Sequence, residues 1–109
     1  MSLATHSPYR LAAAVAANML LAASAHALEV KFEPVADGVY AYIGDTGPRS
    51  VDNEGLNANV GLVVTSAGAV LIDSGATYQS ARRIHEAVGK VTPQPVKWVL
   101  NTGGQDHRW

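Results

Sequence analysis

Near the end of the chain, in the run NTGGQDHRW, Asp106 and His107 place a carboxylate beside an imidazole. Both groups are good zinc ligands, and neighbouring positions on an irregular loop can converge on one ion. Gly103 and Gly104, just ahead of them, let the backbone approach such an ion closely. Gln105 offers only a neutral carbonyl oxygen. Two strong ligands fall short of a site, because structural zinc takes four and catalytic zinc about three plus a water. Asp73, in AVLIDSG, is the third candidate. Each candidate has an ordinary alternative. An Asp-His pair also suits a solvated loop, and an Asp at a strand end can cap the next helix or make an Asx-turn. His85 reads as a surface or half-buried helix residue, and Tyr40, Tyr42 and Trp98 as aromatics in or around the core. The glycines of NTGGQ match neither a P-loop, which needs a following Lys and Ser/Thr, nor G-x-G-x-x-G.

The elements that must position these residues follow from pattern. Residues 28–32 and 39–43 read as two short strands joined by Asp37-Gly38 turn chemistry. DTGPRSVDNEG has no apolar period and reads as a loop, of the kind that often borders a site. NANVGLVVT and AVLIDSG flank Ser66-Ala67-Gly68 as a second hairpin, whose second strand, residues 69–73, is apolar enough to be covered on both faces. Beyond Thr77 the period changes: Ala81, Ile84 and Val88 fall on one helix face, Ser74 or Thr77 can cap, Arg82 and Arg83 lie outside, and Gly89 is placed to end the helix. Pro93 and Pro95 forbid its continuation, and VKWVL is the next strand. A strand-helix-strand crossover makes its two strands parallel. Both therefore end at the same sheet edge, where open α/β sheets bind ligands. Topology alone thus brings Asp73 into one crevice with Asp106 and His107.

The chain of 109 residues allows at most one domain. Its first 27 residues run from Arg10 through an apolar stretch to Ala25-His26-Ala27, the order of a secretory signal cleaved after Ala27, and the stretch is too short for a membrane span. A periplasmic or secreted location follows, with no membrane attachment after cleavage. No cysteine is present, so no disulfide can help an exported chain stay folded. Removing Arg10 moves the formal net charge from −1 to −2 and leaves no basic stripe for nucleic acid.

The succession GVYAYIG, NANVGLVVTSAGAVLIDSG, a helix and VKWVLNTGGQDH resembles the amino-terminal half of the metallo-β-lactamase superfamily of metal-dependent hydrolases. Within it, the likeness is nearer to exported zinc metallohydrolases of the quinoprotein-associated, SoxH-like kind. The resemblance implies an α/β fold, half of an αββα sandwich made of hairpins and a strand-helix-strand unit, over residues 28–109. It implies zinc, a small-molecule substrate, and a metal-bound water that attacks an ester, thioester or lactam in a complete relative. TGGQDH stands where the family carries H-x-H-x-D-H. Asp106 and His107 match the last D-H, which bind the second metal, the Asp also orienting the water. Asp73 matches an Asp that supports the site from behind. Thr102 and Gly104 replace the two histidines of the first metal site.

The leading expectation is an amino-terminal fragment of an exported zinc hydrolase, inactive as this chain, with an uncovered sheet that favours self-association. The alternatives are a non-catalytic periplasmic binding module and a degenerate truncated product.

Overall fold

The computed structural model describes residues 28–104. Within them five strands, β1 (Glu33–Ala36), β2 (Val39–Tyr42), β3 (Val60–Thr65), β4 (Gly68–Ile72) and β5 (Val96–Leu100), form one sheet in sequence order, with helix α1 (Tyr78–Val91) between β4 and β5. Strands β1 to β4 pair antiparallel, and β4 pairs parallel with β5. This is the α/β arrangement of hairpins followed by a strand-helix-strand unit. No helix among the described residues is long and apolar enough to cross a membrane.

Register sorts the side chains by face. Leu62 lies opposite Leu71 and Val64 opposite Ala69, so these four share a face. That face meets α1: Val60, Leu62, Ala69 and Leu71 form one buried cluster with Ile84, Ala87 and Val88 of the helix and with Val30, Phe32 and Leu56 from irregular segments. Each fully buried aliphatic side chain contributes about 1.5–3 kcal/mol. On the opposite face Val63 pairs with Val70, Val70 with Trp98, and Ile72 with Leu100. Val70 and Ile72 are only half-buried there, and Trp98 and Leu100 are exposed.

Helix α1 starts where its sequence allows a double cap. Thr77 keeps extended backbone, its Oγ1 accepts from the Ser80 amide at 3.1 Å, and Ser80 Oγ accepts from the Thr77 amide at 3.1 Å. Gly75 makes the approach possible. It has φ of +85°, and an added Cβ would sit 2.9 Å from Ser80 Oγ.

Several sequence expectations move. The first strand is Glu33–Ala36, not residues 28–32. The Asp37-Gly38 turn, with Gly38 at φ +67°, pairs Ala36 with Val39 and so draws the residues beside it into the ladder. Val30 and Phe32 are nevertheless buried, because their alternation reflects packing on the core and not strand pairing. Pro34 fits because β1 is an edge strand. Helix α1 passes Gly89 and ends at Val91: a helical glycine costs only about 1 kcal/mol, whereas Pro93 forces Thr92 out to extended backbone. Its buried face is Ser80, Ile84, Ala87 and Val88, and Ala81 is exposed. Ser80 can enter the core because both its hydroxyl functions are satisfied locally, with Oγ donating to Thr77 O at 3.0 Å. Strand β4 is covered on one face by the helix cluster, not on both. Tyr40 and Tyr42 pack against the core as expected, but Trp98 is 48% exposed, since its position alternates onto the outer face.

Candidate functional site

Strand β4 delivers Asp73 and strand β5 delivers Thr102 to the same edge, because the strands are parallel with Ile72 beside Leu100. The Asp73 amide donates to Leu100 O at 2.9 Å and carries the ladder one residue beyond the strand. There the backbone turns left-handed, with φ of +61°. That conformation costs an L-residue roughly 1–2 kcal/mol, and Asp is among the few that visit it routinely. Both of its oxygens are then engaged: Oδ1 accepts the Thr102 amide at 2.9 Å and Oδ2 accepts the Thr102 hydroxyl at 2.7 Å. Asp73 is buried, so these bonds replace the water it has lost.

Of the residues that the sequence singles out, the structure brings together Asp73 and Thr102. Gly104 follows two residues later, and a Cβ added to it would meet nothing within 4 Å among the described residues. Asp106 and His107 lie outside the described residues. His85 is exposed on α1, in keeping with a surface histidine. The residues at this edge do not by themselves fit a zinc ion. Thr102 and Gly104 offer no imidazole, both Asp73 oxygens accept from Thr102, and no group of three His, Cys, Asp or Glu side chains that could hold a metal occurs among the described residues.

The long loop between β2 and β3 rests on the turn that follows Asp73. Gly44 opens it where an added Cβ would run into the Ala58 backbone, so the loop's two ends touch. Asn53 is its hub. The Asn53 Oδ1 accepts the amides of Ser50 at 2.9 Å and Gly55 at 3.1 Å, and Nδ2 donates to Pro48 O at 3.0 Å and Asp45 Oδ2 at 3.3 Å. Glu54 and Gly55 follow in left-handed conformation, with φ of +49° and +77°. Glu54 O accepts the Thr77 hydroxyl at 2.7 Å, and the Glu54 carboxylate meets the Arg83 guanidinium at 3.4 Å. The loop is thereby fastened to the start of α1. A cavity of about 770 Å³ opens there, lined by Ser50, Val51, Glu54, Thr77 and Gln79 among others, without Asp73 or Thr102. Composition showed a loop here but hid this order; the signal that could have found it is Asn-Glu-Gly, since Asn favours local side-chain bonds and Gly favours positive φ.

Asp45 gives the loop a pH dependence. The Gly47 amide, and after it the Asn53 side chain, hold the Asp45 carboxyl below its ordinary value of 3.8. A carboxylate whose value is lowered by folding contributes stability above the unfolded value and loses it as pH falls through the folded one. Proteolysis within residues 45–56 is therefore expected to accelerate below about pH 4 in the parent. In Asp45→Asn that acid step should shrink; an unchanged step would remove Asp45 as its cause.

No protein-family model and no curated protein sequence matches the chain. Solved structures do. The FIM-1 metallo-β-lactamase of Pseudomonas aeruginosa, in its mono-zinc form, superposes with a TM-score of 0.60 at 19% identity over 76% of this chain and 36% of its own. The DIM-1 metallo-β-lactamase exposed to ceftazidime superposes with a TM-score of 0.56 at 13% identity over 75% of this chain and 36% of its own. The chain thus spans about a third of the length of these enzymes. With its five-stranded mixed sheet, its crossover helix and these superpositions, the chain has part of the metallo-β-lactamase fold.

Proposed function

We propose that this chain is part of an exported metal-dependent hydrolase of the metallo-β-lactamase kind, carrying leader residues 1–27 and a domain from residue 28, and that it has no hydrolase activity by itself. The SoxH-like exported zinc metallohydrolases are the branch its sequence favours. The observation that carries the reading is the parallel β4–β5 pair, which puts Asp73 and the start of the TGGQDH loop at one sheet edge in a fold shared with a mono-zinc metallo-β-lactamase. Asp106 and His107 are assigned as zinc ligands, Asp106 also as the residue that orients water, and Asp73 as their support. A small molecule is the substrate class in a complete relative. Inactivity is supported by Thr102 and Gly104, which bring no imidazole to the first metal position. The half-open sheet face of Val63, Val70, Ile72 and Trp98 supports self-association with a second copy.

The test incubates the purified chain, with one equivalent of zinc, with a chromogenic β-lactam, an ester and a thioester. No turnover above buffer is expected. Turnover that EDTA abolishes would overturn the assignment of inactivity while supporting the hydrolase lineage.

A further inference from the structure

Residues 28–32 belong to no strand or helix, and burial alone holds them. Val30 and Phe32 are each 6% exposed, Leu28 packs against the same cluster, and Glu29 and Lys31 between them are exposed. This segment runs beside the end of α1 without filling its seat: a cavity of about 310 Å³ remains there, lined by Val30, Phe32, Ala87, Lys90 and Val91 among others. Directly before Leu28 stands Ala25-His26-Ala27, the run after which a signal peptidase is expected to cut. The bond to be hydrolysed therefore joins the buried segment with no spacer. Leu28 is the first residue on its carboxyl side, and Val30 and Phe32 follow at alternate positions.

A protease takes its substrate as an extended segment, so the residues beside the bond must be free of the fold, and a folded chain is cut only through the fraction in which they have opened. We infer that residues 28–32 are a processing switch: the Ala27–Leu28 bond is cut while they are off the core, and docking of Val30 and Phe32 closes it to the peptidase. The bond broken is the Ala27–Leu28 amide; water gives its hydroxyl to the Ala27 carbonyl carbon and its proton to the Leu28 nitrogen. An order of events follows. Leader removal comes first and docking second, and a chain that folds early keeps its leader. Held by side chains and not by a ladder, the segment opens more readily than the strands of the sheet, so Val30 and Phe32 set how tightly the switch closes.

The inference rests on the reading of residues 1–27 as a leader, and the test separates the two. The purified 109-residue chain, in detergent micelles, is incubated with a bacterial signal peptidase, and mass spectrometry follows the fragment that begins at Leu28. The parent is compared with Val30→Ala, with Phe32→Ala, which is expected to be largely unfolded, and with Val35→Ala, whose side chain is 67% exposed in β1. Phe32→Ala is expected to be cut at least about tenfold faster than the parent, Val30→Ala at an intermediate rate, and Val35→Ala within about twofold of the parent. A parent cut as fast as Phe32→Ala, or Val30→Ala cut no faster than Val35→Ala, would overturn the inference and leave the leader reading standing. Absence of cleavage between Ala27 and Leu28 in Phe32→Ala would remove the leader reading, and the inference with it.

Discussion

Phe32→Ala is expected to lower the stability of the chain by about 3–5 kcal/mol, the range for removing a buried aromatic side chain. Small domains commonly have little more than that in total, so the variant should be largely unfolded at room temperature. Phe32 belongs to no strand. It is 6% exposed in the cluster that joins the sheet to Ile84, Ala87 and Val88 of α1. With Val30 it makes residues 28–32 a strap over the core, held by burial and not by a ladder. The control is Val35→Ala, in β1 itself but 67% exposed, which should change stability by less than about 0.5 kcal/mol. Urea unfolding followed by circular dichroism measures both. Equal losses for the two variants would mean that the strap is not part of the core.

Asn53→Ala is expected to cost about 2–4 kcal/mol, because one truncation removes four hydrogen bonds of a buried side chain at once. The amides of Ser50 and Gly55 lose their acceptor, and Pro48 O and Asp45 lose their donor. Asn53→Asp sharpens the test. It preserves the acceptor for both amides but replaces the donor with a carboxylate facing Asp45, so it should also destabilise, and less so in acid where one carboxyl is protonated. Trypsin supplies a local reading, since Arg49 lies in the loop: cleavage after it should accelerate more than global unfolding does. If both variants melt like the parent, the hub makes no net contribution.

How far the site could be read beforehand depends on the range of the interactions involved. Val96–Leu100 was legible to the residue, because Pro95 bounds an apolar run on one side and glycines follow on the other. Thr77 as helix cap was legible, although Ser74 competed for the role, since capping is settled within four residues. A strand-helix-strand crossover makes β4 and β5 parallel, as their pairing is, and so puts Asp73 and the start of the TGGQDH loop at one edge. The strap reads as a strand in sequence because a period of two marks a buried face equally well whether or not a partner strand lies alongside. Trp98 was misplaced because size and apolarity say nothing of which side of a sheet the alternation selects. The partnership of Asp73 with Thr102 was not legible as a contact, for no local pattern encodes a side-chain bond across 29 residues.

Sequence by itself determined the order of elements, the turn at Asp37-Gly38, the start of α1 and the shared edge, all of which follow from short-range sterics, capping and the parallel strands that a crossover makes. Tertiary structure alone decided that residues 28–32 serve as a strap, that Ser80 replaces Ala81 in the core, that Asn53 organises the long loop, and that Thr102 belongs to Asp73. Each of these depends on which groups lose water together, and that is fixed only when the helix and the long loop close over one face of the sheet.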